Sequence, residues 1–131
     1  MAGTLTVTRI PKVSTQGSQF EKVAVEWTSD ASGNADVQLV LFGFLIKVVT
    51  KPSATAPTTL YDITLTDPDD SAFDVLGAAL ANRSATATEQ VYPVITGAAT
   101  PVLVSGLYTF KVANAGNAKA GTVWLYLVES L

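Results

Sequence analysis

The chain has 131 residues, with 8 Lys+Arg, 11 Asp+Glu and neither His nor Cys. Without Cys there are no disulfides, thiolate metal sites or Cys nucleophiles, and without His the usual general base and commonest zinc ligand are gone. A net charge of −3 argues against nucleic-acid binding, which needs a dense Lys/Arg face to displace counterions.

Met1–Lys12 has no basic n-region and no apolar h-region, so no targeting segment is expected. Within it Thr4–Ile10 alternates strictly, with Leu5 and Val7 on one face and Thr4, Thr6 and Thr8 on the other. Period two predicts a half-buried strand. Pro11 should end its pairing, because proline has no N–H to donate. Ser14–Ser18, with Gly17, reads as a polar loop.

Lys22–Thr28 is a second strand, with Val23, Val25 and Trp27 on its apolar face. Ser29–Asn34 follows as a turn, in which Gly33 and Asn34 tolerate positive φ. The expectation is an antiparallel hairpin of Glu21–Thr28 with Ala35–Val49. Val37–Val49 is apolar on both faces: Val37, Leu39, Leu41 and Leu45 on one, Val40, Phe42, Phe44 and Ile46 on the other. Such a strand is either central in a sandwich or covered by a partner chain. A buried helix competes, but β-branched and aromatic content around Gly43 favours strand. Gly43 is expected to mark a bulge or a close backbone approach. At about 13 residues the run is too short to span a bilayer.

Thr59–Thr66 alternates again, with Tyr61, Ile63 and Leu65 inward. Asp67-Pro68-Asp69-Asp70 breaks it. Ser71 with Asp74 reads as a capping box, and Phe73, Leu76 and Leu80 then predict a short helix over Ala72–Ala81. Asn82–Glu89 is a polar surface loop; its Asn82-Arg83-Ser84 sequon is read as chance. Gln90–Ile95, interrupted by Pro93, is at best an edge strand. Val102–Ala113 and Thr122–Val128 are strands joined through the Asn- and Gly-containing Asn114–Gly121 loop. Val123, Leu125 and Leu127 share one face of the last strand; Thr122, Trp124, Tyr126 and Val128 share the other.

About six or seven strands without long helices exclude a doubly wound α/β fold. The expected fold is all-β, an antiparallel β-sandwich of jelly-roll or Ig-like type with one short helix, in a single domain spanning 1–131. Apolar residues make up 48% of the chain and charged residues 15%. That is too apolar for disorder, and so few charges favour association over a lone monomer.

Candidate chemistry is sparse. Asp67, Asp69, Asp70 and Asp74 could offer hard oxygen ligands to calcium, but the EF-hand Gly and closing Glu are missing, so helix capping and a solvated turn are the preferred reading. No metal or cofactor is therefore assigned. No phosphate-cradling glycine loop is present, and no carboxylate pair comes with a recognisable cleft. Enzymatic activity is not expected. Trp27 reads as core; Trp124, with Tyr126 beside it, fits either core or interface. Arg83 is either an interface contact or solvent-exposed. Phe42 and Phe44 are the apolar interface candidates.

The segment Tyr61–Gln90, YDITLTDPDDSAFDVLGAALANRSATATEQ, resembles small virion proteins encoded in the structural-gene clusters of tailed bacteriophages. The shared pattern runs Tyr-Asp-Ile-Thr-Leu-Thr-Asp, then Asp-Val-Leu-Gly, then Asn-Arg-Ser with Thr-Glu. It covers about a quarter of the chain and transfers no site residues. The resemblance implies a non-enzymatic virion protein, assembled in the bacterial host cytoplasm, that decorates and stabilises the capsid. Its partners would be the major capsid protein or other virion proteins and further copies of itself, as a trimer or pentamer, with no nucleic acid or membrane. The alternative is a tail- or vertex-associated fibre or adhesin module that binds a host glycan or receptor.

Overall fold

A computed structural model describes residues 3–15, 18–58 and 60–129. The strands are β1 (Thr4–Thr15), β2 (Ser18–Thr28), β3 (Ala35–Pro52), β4 (Asp62–Asp67), β5 (Asp70–Asp74), β6 (Glu89–Val91), β7 (Val94–Ile95), β8 (Ala98–Ala99), β9 (Val102–Ala113) and β10 (Ala120–Val128). Eight form one antiparallel sheet, β1-β2-β10-β3-β9-β4-β5, with β6 also paired to β3; β7 and β8 make a small second sheet. Pro93 falls between β6 and β7, where its missing N–H interrupts no ladder.

Several expectations fail. The first is the hairpin between β2 and β3. β10 lies between them, with Leu125 opposite Val23 on one side and Val48 on the other. The turn chemistry explains the insertion. Asp30 Oδ1 accepts the N–H groups of Ser32 (2.8 Å) and Asn34 (3.0 Å), which shapes the Ser29–Asn34 loop. The Ser29 hydroxyl donates to the Gly116 carbonyl (2.5 Å) and accepts the Lys119 N–H (2.9 Å). Ala115 N–H donates to the Gly33 carbonyl at 3.1 Å. These bonds lock the loop after β2 onto the loop before β10, so β10 enters beside β2.

The second is the helix over Ala72–Ala81. Among the described residues there is no helix; Asp70–Asp74 is strand β5 and the chain then runs through successive turns. The apolar spacing is used all the same, since Leu76 and Leu80 are buried while Phe73 is exposed. Gly77 (φ +64°) and Ala78 (φ +62°) are left-handed, which a right-handed helix cannot contain. Asp74 supplies the organising contact. Its carboxylate accepts N–H bonds from Leu65 and Leu76 (both 3.1 Å) and from Ala78 (3.0 Å). Instead of capping a helix it closes a turn.

The all-β, antiparallel part of the expected fold holds, as sheets of eight and two strands, and the larger sheet bends at β3. Ala35–Leu45 of that strand pairs with β9, and Phe44–Pro52 pairs with β10. The register shifts between Leu45 and Lys47, which leaves Ile46 as the bulged residue. A bulge lets one strand pass from one layer to the next. At Gly43 (φ +114°) a Cβ would sit 2.5 Å from the Val128 carbonyl oxygen, so this glycine marks a close backbone approach, and the bulge falls at Ile46 instead.

Inward residues from both layers meet in one cluster. Val23, Val25 and Trp27 of β2 and Val123, Leu125 and Leu127 of β10 are buried, as their alternation predicts. Ile63 and Leu65 of β4 and Val104, Phe110 and Val112 of β9 complete it from the other layer. β1 continues past Pro11, with a register shift between Ile10 and Val13 where the proline interrupts the ladder. Gly17 of the expected polar loop lies outside the described residues, and Ser14, Thr15 and Ser18 belong to strands. Arg9 near the middle of β1 ion-pairs with Glu21 (3.2 Å) and donates to the Val40 carbonyl of β3.

Candidate functional site

Strand alternation that buries one set of side chains turns the other set outward. In most sheets the outward set is polar. Here β2, β10, β3 and β9 present apolar residues in register. Phe44 stands opposite Leu103 on one side and Val128 on the other, and Val128 stands opposite Phe20. The row Leu103–Phe44–Val128–Phe20 thus crosses four strands at the bend. Leu103 is 63% exposed and Phe20 56%; Phe44 and Val128 are half-buried. Two residues along β3, Phe42 is 55% exposed. Beyond it Val40 faces Leu107, and both are exposed.

The next row on β10 is basic. Tyr126 stands opposite Lys47 of β3 and Lys22 of β2. Lys47 Nζ lies 4.9 Å from the Tyr126 ring centroid, and Lys22 Nζ lies 5.3 Å from the rings of both Tyr126 and Trp124. These are cation–π distances. Lys47 also donates to Gln90 at 2.7 Å. Trp124 and Tyr126 are half-buried and share the outer face. Their rings thus have ammonium groups over them on this face.

The structure brings Phe42, Phe44, Trp124 and Tyr126 onto one continuous outer face. Arg83 is elsewhere. Its N–H donates to the Tyr61 carbonyl (2.7 Å), and its guanidinium donates to the Ala81 carbonyl (3.1 and 3.3 Å) and lies 3.7 Å from Glu89. All of these contacts serve the chain's own loop.

The acidic residues cluster on the β4–β5 hairpin, where their oxygens serve the backbone. Asp67 Oδ1 accepts the Asp69 N–H (2.9 Å), Asp70 Oδ1 accepts the Ala72 N–H (3.1 Å), and Asp74 holds its three N–H groups. Among the described residues no three acidic side chains gather in a way that could hold a metal ion. A recess of about 540 Å³ beside the hairpin is lined by Thr64, Thr66, Thr109 and Lys111 together with Asp67 and Asp74.

Phe20, Leu103, Leu107 and Val128 escaped the sequence reading as parts of this face. Their outward parity was visible along each strand, but the register that aligns Leu103, Phe44, Val128 and Phe20 exists only once β10 is paired on both edges.

Compared with known proteins, the chain matches no family model and no curated protein sequence.

Proposed function

We propose that the chain is a non-enzymatic structural subunit of a tailed-phage particle. In this reading it assembles with the rest of the virion through the outer face of the bent sheet, decorating and stabilising the capsid. The observation that carries it is the registered apolar row Leu103–Phe44–Val128–Phe20, continued by Phe42 and by Val40 with Leu107. Exposed apolar patches beyond a few hundred Å² mark interaction surfaces. The exposed fractions here amount to roughly 500 Å², worth about 12 kcal/mol if fully covered. Association costs of about 4–15 kcal/mol offset most of that, so each contact is weak. Many weak contacts in a symmetric lattice act together, which suits a particle coat. The resemblance of Tyr61–Gln90 supports a virion as the setting.

The adhesin reading needs open aromatic rings, and the capping of Trp124 and Tyr126 by Lys22 and Lys47 favours assembly over glycan stacking. The test is quantitative peptide mass spectrometry on purified particles, with wild-type chain or with Leu103→Asp. Hundreds of copies for wild type and a large loss for the folded variant are expected. Absence of the wild-type chain from particles overturns the reading, and a handful of copies moves the chain to the tail or a vertex.

A further inference from the structure

We propose that the partner covering the outer face is a second copy of this chain, which docks its β4–β5 hairpin there. The inference rests on reading that face as an assembly surface. It is drawn from complementarity between two surfaces of the same molecule. The face offers an apolar row with the basic row Lys47–Tyr126–Lys22 directly beside it. The hairpin offers the inverse: Asp69 and Asp70 are exposed at its turn, and Phe73 is 53% exposed on β5. Phe73 suits the row formed by Leu103, Phe44, Val128 and Phe20. The two carboxylates suit the ammonium groups of Lys22 and Lys47, and opposite potentials fix register and suppress wrong partners.

Two further features support this pairing. The hairpin is stiffened in advance, because Asp67 and Asp70 each accept an N–H two residues on and Asp74 closes the turn behind β5. Little conformational freedom is then lost on docking. In the sheet order, β10, β3 and β9 separate the β4–β5 hairpin from β2. In the proposed contact the hairpin of one copy serves the face of another. Such a contact is heterologous: every copy uses both surfaces, and the chain of contacts closes into a ring where the rotation allows.

The test is sedimentation velocity of the full-length chain across a concentration series at low and high salt. Asp69→Lys with Asp70→Lys reverses the hairpin; Lys22→Glu with Lys47→Glu reverses the face. Wild type is expected to associate, and less so at high salt. Each reversed variant alone is expected to associate at least about tenfold more weakly, because like charges then meet. Mixing the two reversed variants should restore association, since each hairpin then finds a face of opposite charge; a fold defect would not be rescued by mixing. Wild type that stays monomeric overturns the inference. So does undiminished association of both reversed variants. If Phe44→Asp then still abolishes association, the outer face stands as an assembly surface with a different partner; if it does not, that reading falls too.

Discussion

The ring centroids of Trp27 and Tyr61 lie 5.6 Å apart, with the ring planes tilted by 44°. Trp27 comes from β2 and Tyr61 from the approach to β4, so the contact joins the two layers that β3 links covalently. Gly121 makes room for it: a Cβ there would sit 2.8 Å from the indole ring. Both side chains are almost fully buried.

Truncating either ring should open a cavity where the layers meet. Trp27→Ala or Tyr61→Ala is expected to cost about 3–5 kcal/mol, a large share of the roughly 5–15 kcal/mol typical of a domain. In a double-mutant cycle with leucine at each position, the pair should show a coupling of about 0.5–1.5 kcal/mol. Urea denaturation measures both quantities. A coupling of zero would mean that the rings fill space independently.

Asp74 is expected to matter far more than its acidic neighbours. Asp74→Ala leaves the N–H groups of Leu65, Leu76 and Ala78 without their acceptor. A loss of about 2–4 kcal/mol should follow, against about 0.5 kcal/mol or less for Asp69→Ala. Equal effects in a denaturant titration would refute the turn-closing role.

Gly43 and Gly106 form a matched pair for a test of space against conformation. Their φ angles are +114° and +115°. A Cβ at Gly43 meets the Val128 carbonyl oxygen at 2.5 Å, whereas at Gly106 nothing lies within 4 Å. Both alanine variants should suffer backbone strain of about 1–3 kcal/mol. Gly43→Ala should lose at least about 1 kcal/mol more, as β10 is pushed off β3. Thermal melts of the two proteins make the comparison.

Stability should vary with pH in two windows. Burial pushes the Tyr61 phenol up from its ordinary value of 10.0. The folded state then holds this proton more tightly, so its contribution is complete below about pH 10 and is lost as pH rises through the raised value. Tyr61→Phe should flatten that alkaline decline. The Asn34 N–H foremost holds the Asp30 carboxyl below its ordinary 3.8. That contribution is present above about pH 4 and is lost as pH falls through the lowered value. Asp30→Asn should make the acid side of a melting-temperature profile shallower. Profiles parallel to wild type would remove either group from the account.

Much of the strand content was legible because alternation is a local property. Val23, Val25, Trp27, Val123, Leu125 and Leu127 lie inward as their parity required. The Ala72–Ala81 segment was misread because its i, i+3 and i+7 apolar spacing also fits turns that drop Leu76 and Leu80 into the core. What settles the choice is Asp74, whose carboxylate reaches Leu65 on another strand as well as Leu76 and Ala78. No spacing rule registers a bond between strands. Arg83 makes contacts of the same non-local kind, with the Tyr61 carbonyl and Glu89. The candidate site was half legible: Phe42 and Phe44 stood out as apolar on an outward parity, while Phe20 and Leu103 did not.

By itself the sequence determined which residues of β2, β4 and β10 share the inward face, because side chains alternate every second residue whatever the partner. It also singled out Gly43 as a bulge or a close approach, and the Val128 carbonyl decides for the approach. Only the tertiary structure decided which strands are neighbours. The placement of β10 between β2 and β3 depends on Ser29 and Gly33 bonding to a loop some eighty residues later. That placement aligns Leu103, Phe44, Val128 and Phe20 into one row beside Lys22 and Lys47. Register between strands is a property of pairs, and a single chain read along its length carries only half of each pair.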